Sequence, residues 1–234
     1  AADDGAGNVF SGRAGIDFEA GTTTGSFSAG LKNPTPILTA LLREARNGVT
    51  DGELKAGGSV SLTGTWDGPV DDPVVSATVN ATDVALATQT FSLERGTIEG
   101  RLDGPVSAPK AEMRISAGAV GTPSLAPVPA DAVLSLDAGR VEITAHVPDW
   151  SATIDGHASM TAPHEFAAAV SVADLTSTRL LALLDAQDPG WTAEGAISAT
   201  IEASGAIDSR MVRVGGQAAL AGGALSAGDS RIVD

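Results

Sequence analysis

The chain alternates apolar or small residues with polar ones over much of its length. The alternation is strict in five runs, at residues 59–63, 75–79, 141–147, 168–172 and 197–203. A period of two is typical of a β-strand that buries one face and exposes the other. The pattern therefore predicts strands that gather Val, Ile, Leu and Ala on one face of a sheet and Ser, Thr and Glu on the opposite face.

Turn-forming residues separate these runs at short intervals. They occur at residues 67–68, 80, 103–104, 137–139, 155–156, 215–216 and 222–223. Short strands joined by tight turns pair with their neighbours in antiparallel fashion. We therefore predict an antiparallel sheet of short strands, interrupted at each of these positions.

Two segments follow a helical period instead. Residues 36–46 and 177–186 carry Leu-rich apolar stripes, with Thr35 and Ser177 available as N-caps. A helix of about ten residues is not stable alone in water. We expect both helices to pack against a sheet edge or one end of its apolar face, although the same stripe also suits a partner-binding or lipid-facing helix. The predicted fold class is thus all-β, an antiparallel sheet with two short helices.

A six-residue motif recurs along the chain. Gly-Pro-Val-Asp-Asp-Pro at residues 68–73 is matched by Gly-Pro-Val-Ser-Ala-Pro at residues 104–109, which begins 36 residues later. A looser third copy occupies residues 205–210. Each copy follows an alternating strand, so the unit reads as strand, glycine turn, extended corner and strand. Self-similarity of this kind predicts units that bury their faces by stacking on one another.

The domain organisation is predicted from one proline-dense stretch. Residues 121–131 would form a kink or a sheet edge, because proline is tolerated where no strand-pairing donor is needed. They would separate a first sheet segment, residues 1–120 with the helix at 36–46, from a second, residues 132–234 with the helix at 177–186.

Composition limits what fills the apolar side of this sheet. The chain has 28 glycines but only five Phe and three Trp, although 43% of its residues are hydrophobic. Trp66, Trp150 and Trp191 each lie beside a turn or at a strand end, where we expect an indole to cover a sheet edge, with stacking on a ligand as the alternative. So few bulky side chains would fill a barrel or sandwich interior poorly, which favours an apolar face left open.

Charge and residue types exclude several function classes. The net charge of −15 disfavours nucleic acid as a partner, and the absence of cysteine removes disulfides and thiolate chemistry. The longest apolar runs, residues 37–42 and 180–184, are far shorter than the roughly 18 residues that span a bilayer.

Candidate catalytic and metal-binding residues are few. His146, His157 and His164 share one stretch with Asp149, Asp155 and Glu165, but their spacing fits no metal-ligand motif. The chain also lacks a phosphate-binding loop and a nucleophile elbow. We therefore expect a protein that is not an enzyme, with no metal site and no cofactor.

The combination of strands that end in glycine, glycine-proline corners and short Leu-rich helices resembles one protein family. The residues that carry the resemblance are 59–64 leading into 68–73, 96–104 leading into 105–109, and 172–175 leading into 180–184. They resemble the TamB family of bacterial envelope proteins, within the wider AsmA-like group, over most of residues 30–234. Family members are longer and carry an N-terminal membrane anchor, so the resemblance implies an internal fragment.

The resemblance implies an elongated, curled antiparallel sheet, a β-taco, whose groove carries phospholipid acyl chains through the periplasm between inner and outer membranes. It also implies a role in assembly and secretion of outer-membrane proteins such as autotransporters, with an Omp85-type barrel as partner. The full-length protein would be anchored in the inner membrane. Residues 1–120 and 132–234 would then each be a β-groove segment.

Acyl chains in such a groove would contact the apolar side chains of the alternating strands. The expected groove residues are Val60, Leu62, Val75, Val79, Leu134, Leu136, Val141, Ile143, Val170, Val172, Ile197 and Ile201. Two alternatives stay open at this point: that these residues fill the core of a two-sheet sandwich, and that the chain is a secreted or surface β-sandwich or solenoid for adhesion or carbohydrate binding.

Overall fold

A computed structural model of the chain describes residues 2–3, 7–32, 55–88, 91–122, 125–176, 179, 191–193, 195–206, 208, 211–227 and 230–233. The first eight strands of these residues are β1 Ala2–Asp3, β2 Val9–Asp17, β3 Thr22–Leu31, β4 Lys55–Pro69, β5 Val74–Ala87, β6 Ser92–Pro105, β7 Lys110–Thr122 and β8 Leu125–Asp137. The other eight are β9 Arg140–Val147, β10 Ala152–Ser159, β11 Glu165–Thr176, β12 Trp191–Ala193, β13 Ala196–Ala206, β14 Met211–Ala221, β15 Ala224–Ala227 and β16 Ser230–Val233. A 3-10 helix, Pro148–Trp150, lies between β9 and β10.

The prediction of an all-β, antiparallel fold is confirmed. Thirteen strands form one sheet in the order β1 to β11, then β13 and β14, and the order does not close on itself. Strands β12, β15 and β16 form a second, three-stranded sheet. Tight turns connect most sequence neighbours, which is why chain order and sheet order nearly coincide.

The chain divides into two units. The first comprises Ala1–Val120 and Val133–Gly139, and the second comprises Gly121–Ala132 and Arg140–Asp234. The helix predicted at residues 36–46 lies outside the described residues, as does the one at 177–186 apart from Arg179. Within the described ranges, no helix has the length and hydropathy of a bilayer span.

Three of the seven predicted turns are wrong, because the strands continue through these positions. Asn80 lies inside β5, and the glycine pair at 215–216 lies inside β14. Asp155 and Gly156 lie inside β10, where the Asp155 carboxylate accepts a hydrogen bond from Thr144 Oγ1 on β9 at 3.1 Å. Positions 67–68 and 103–104 belong to the ends of β4 and β6. Turns do follow Asp137 and β14, as predicted at 137–139 and 222–223.

Three neighbouring strands of the first unit are irregular near the same end. The pairing register shifts beside Gly58 on β4 and beside Asp83 on β5. Gly58, Asp83 and Arg95 on β6 have φ of +100°, +52° and +55°, the left-handed region. The buried residues Ala81 and Val84 flank this irregular row. Bulges of this kind bend a strand and increase its twist.

The repeated hexapeptides form corners that stack on each other in the first unit. Both begin with glycine in the left-handed region, with φ of +119° at Gly68 and +115° at Gly104. Asp72 of the first corner accepts two hydrogen bonds from Ser107 of the second, from its backbone N at 2.9 Å and its Oγ at 2.8 Å. The predicted stacking is therefore present between these two copies. The third copy lies partly outside the described residues.

The buried core is small. Among the described residues, the buried apolar side chains are Ala81, Val84, Ala117, Ala119, Val128, Val147, Ala152 and Leu175. In the second unit three of these form a cluster of Val128, Val147 and Ala152, against which Trp150 and Val172 pack. Most large apolar side chains are therefore only half-buried or exposed.

Candidate functional site

The register of the first unit places the predicted groove residues of β4 and β5 on one face. Leu62 pairs with Val79, and Trp66 pairs with Val75. Val60 lies two residues before Leu62 and so points to the same side. All five are half-buried, whereas the Ser and Thr residues that alternate with them are exposed. We call the side that carries the predicted residues the apolar face.

Strand β8 contributes two more predicted residues to the first unit. Leu134 and Leu136 lie two residues apart and are half-buried. Val133, on the other side of the strand, is 41% exposed. The alternation therefore places the two leucines on one side of β8, as predicted.

In the second unit six predicted residues lie on a single face. Val170 of β11 pairs with Ile154 of β10 on one side and with Ile201 of β13 on the other. The same registers bring together Val141, Ile143, Val170, Val172, Ile197 and Ile201. Ile201 is 54% exposed, while Val172 packs against the buried cluster. The face therefore runs from the buried cluster to side chains that are open to solvent.

Two aromatic rings that were not among the predicted site residues lie on the apolar face of the first unit. Phe27 of β3 pairs with Gly64 of β4, and Trp66 of β4 pairs with Gly25 of β3. The ring centroids are 6.3 Å apart and the ring planes meet at 28°, a stacked arrangement. The Trp66 Nε1–H donates to Thr23 Oγ1 at 3.2 Å. Trp66 lies three residues before the end of β4, close to the corner that begins at Gly68.

The opposite side of the first unit's sheet, the polar face, is covered by paired hydroxyl groups. Ser59 and Thr82 approach to 2.9 Å, and Thr63 and Thr78 to the same distance. These pairs link β4 to β5 on the face opposite to the apolar pairs. Cross-strand hydroxyl pairs of this type contribute modestly to sheet stability and keep that face wet.

Charged residues extend the polar face onto β6 and β7. The Asp103 carboxylate accepts hydrogen bonds from Arg101 Nε and, at 2.8 Å, from Ser76 Oγ. These hydrogen bonds, that from Arg101 first, hold the pKa of Asp103 below its ordinary value of 3.8. Lys110 and Asp137 form a further exposed ion pair at 3.1 Å.

Each unit carries an open depression on its polar face. In the first unit its volume is about 740 Å³, and Arg101, Lys110 and Glu112 are among its lining residues. In the second its volume is about 470 Å³, and Glu142 and His157 are among its lining residues. Of the predicted groove residues, one lines each depression, Leu136 in the first and Ile143 in the second. The depressions are therefore features of the polar side, largely separate from the apolar face.

The three histidines lie at separate positions in or beside the sheet. His146 and His157 alternate with apolar-face residues of β9 and β10, and His164 precedes β11 with its Nδ1 3.4 Å from Asp208 Oδ2. In the part of the chain that the structure describes, no group of three or more His, Asp or Glu side chains is placed to hold a metal ion.

Comparison of the chain with protein-family models, with curated proteins and with solved structures finds no match. The two faces of the sheet and the sequence pattern therefore remain as the indications of function.

Sequence reasoning missed the aromatic pair although a local signal exists. Gly25-Ser26-Phe27 and Gly64-Thr65-Trp66 share the form Gly-x-aromatic. Antiparallel pairing of two such tripeptides places each ring opposite the other strand's glycine. The signal is readable only once β3 and β4 are known to pair in this register, because 23 residues separate the two strands along the chain.

Proposed function

We propose that the chain is a lipid-binding segment of a TamB- or AsmA-like bacterial envelope protein, and that its apolar face carries phospholipid acyl chains. The observation that carries the proposal is the apolar face itself. In each unit aliphatic side chains of the described residues line one side of the thirteen-stranded sheet and stay half-buried or exposed. An extended apolar surface of this kind marks a site where an apolar partner binds.

The chemistry of the face suits hydrocarbon. Each methylene that leaves water for such a surface is stabilised by up to about 0.8 kcal/mol, so a chain of many methylenes binds without any directed hydrogen bond. Neighbouring positions along the face offer equivalent Val, Leu, Ile and Ala contacts. A bound chain therefore exchanges one set of contacts for a similar set as it slides, and movement costs little.

The polar face complements this role. Its hydroxyl pairs and exposed ion pairs keep the second side hydrated, and the net charge of −15 disfavours association between copies. From the resemblance we propose that the groove lies in the periplasm and that a full-length protein is anchored to the inner membrane. Phospholipid would move between inner and outer membranes there, or outer-membrane proteins would be assembled and secreted with an Omp85-type partner.

The proposal is tested by purifying the protein from a bacterial envelope without detergent exchange and measuring bound phospholipid by extraction and mass spectrometry. Leu62→Glu places a charge on the apolar face of β4. Ser61→Glu places the same charge one residue away on the polar face. We expect Leu62→Glu to lower the phospholipid-to-protein ratio at least fivefold and Ser61→Glu to leave it unchanged, with circular dichroism confirming that both variants fold.

Two results would overturn the proposal. The first is a parent protein that carries no phospholipid and takes none up from vesicles, which would turn attention to adhesion or carbohydrate binding. The second is equal loss of lipid in both variants, since a role for the apolar face requires the two positions to differ.

A further inference from the structure

The flat position of the two aromatic rings depends on glycine. A Cβ atom at Gly64 would lie 2.5 Å from Phe27 Cζ, and one at Gly25 would lie 2.1 Å from Trp66 Cζ2. Both separations are far shorter than van der Waals contact. Each ring therefore occupies the space that a side chain on the opposite strand would take, and it lies along the sheet surface instead of standing up from it.

The surroundings of the rings show which ligand they suit. Their neighbours on the same face by register include the apolar residues Ala14, Leu62, Val75 and Ala77. The polar neighbour Thr23 already uses its hydroxyl to accept from Trp66 and to donate to Gly15 O at 3.2 Å. The one polar group of the pair, the Trp66 indole N–H, already donates to Thr23. A sugar would need hydrogen-bond partners beside the rings, whereas a hydrocarbon chain needs only a flat carbon surface.

We infer that Phe27 and Trp66 form a contact site for a phospholipid acyl chain, and that Gly64 and Gly25 determine its fit by keeping the rings flat. The inference rests on the proposed function and adds a defined position within it. With the rings flat, a chain crosses β3 and β4 in contact with both. An upright Phe27 ring would stand in the path of that chain and reduce its contact.

Fluorescence of Trp66 tests the contact directly. In the full chain carrying Trp150→Phe and Trp191→Phe, Trp66 is the remaining tryptophan. The protein is loaded with phosphatidylcholine from vesicles, either unmodified or brominated along one acyl chain, because bromine quenches an indole at contact distance. We expect emission to fall at least twofold with the brominated lipid.

Gly64→Ala tests the role of the glycine. Its new methyl group meets mainly the far end of the Phe27 ring, with Ser76 O at 2.9 Å, whereas at Gly25 it would also meet Arg13 O at 2.5 Å. A substitution at Gly64 therefore disturbs the neighbouring backbone less than one at Gly25. The control is Gly30→Ala on β3, where a Cβ meets nothing within 4 Å. We expect Gly64→Ala to lower both quenching and bound lipid about threefold or more, and Gly30→Ala to change neither.

The outcomes separate this inference from the proposed function. Bound phospholipid without quenching of Trp66 overturns the inference and leaves the proposed function standing. Quenching that is equal in the parent, Gly64→Ala and Gly30→Ala proteins overturns the role of the glycine. A parent protein without phospholipid overturns both. If Gly64→Ala fails to fold, quenching in the parent still decides whether Trp66 contacts the chain.

Discussion

At the scale of single residues, Asp103 shows how charge is held on the polar face. Its carboxylate is hydrogen-bonded by Arg101 and Ser76, which lowers its pKa because the ionised form is favoured in the folded protein. The stability that this group adds is therefore present above about pH 4 and is lost as the pH falls through the lowered pKa.

We expect a carboxyl NMR titration to give a midpoint for Asp103 below 3.8 in the parent protein. Arg101→Gln should move that midpoint upward, since the charged donor is gone. A midpoint at or above 3.8 in the parent, or no movement in the variant, would contradict the assignment of Arg101 as the main cause.

Single residues also show where sequence reasoning succeeded and failed. Leu62 and Val79 could be assigned to one face because alternation is a local property of a strand and survives whatever the strand pairs with. Asn80 could not be assigned by its turn propensity, because its side chain has a place on the hydrated face of β5. Tertiary context outweighs propensity there.

At the scale of elements, the irregular row on β4, β5 and β6 is the feature with the clearest conformational requirement. Gly58 has φ of +100°, and a Cβ there would lie 2.7 Å from Asp83 O and 2.8 Å from Thr82 O. Its neighbour Gly57 would place a Cβ 3.8 Å from Ala85 Cβ, an ordinary contact.

We expect Gly58→Ala to lower the free energy of unfolding by about 1–3 kcal/mol, through the left-handed backbone and the close carbonyls. Gly57→Ala should change it by less than about 1 kcal/mol. Urea denaturation followed by circular dichroism measures both variants. Equal effects at the two positions would show that the bulge does not need glycine.

The irregular row also marks the limit of prediction at this scale. The strands themselves were predictable from their period. Asp83 and Arg95 adopt left-handed conformations without being glycine, so nothing in the local pattern indicates them. Their conformation is fixed by the register shift between paired strands, which is a property of two strands together.

At the scale of the whole molecule, the small buried core has a thermodynamic consequence. A sheet that leaves its apolar side half-exposed gains little from burial, so a ligand that covers this side should stabilise the fold. Lipid at 100 times its dissociation constant would add about 2.7 kcal/mol by mass action.

We expect the melting temperature of delipidated protein to rise with added phospholipid, and the rise to be lost in Leu62→Glu but kept in Ser61→Glu. Differential scanning calorimetry at several lipid concentrations measures it. A melting temperature that is independent of lipid in the parent protein would contradict the link between the open face and stability.

The sequence predicted which residues lie on the apolar face of the candidate site, but not how the aromatic side chains are arranged there. The apolar positions of β4, β5, β9, β11 and β13 could be named from alternation alone. The stacked pair of Phe27 and Trp66 could not, because it depends on which glycine each ring meets across β3 and β4. The pattern within one strand predicts whether a face is apolar or polar. The shape of that face depends on which residues pair across neighbouring strands.

The stacked corners carry one last consequence, for the order of the repeats. Asp72 meets Ser107, but the second corner has Ala108 where the first has Asp72, and the first has Asp71 where the second has Ser107. If a first corner stacked on another first corner, the Asp72 carboxylate would face an aspartate at the position that Ser107 occupies here. Two second corners would lack the carboxylate that accepts from Ser107. The sequence difference between the two hexapeptides therefore favours contact between a first and a second corner over contact between two identical corners. Near-identical repeats can in this way keep a fixed order along the sheet.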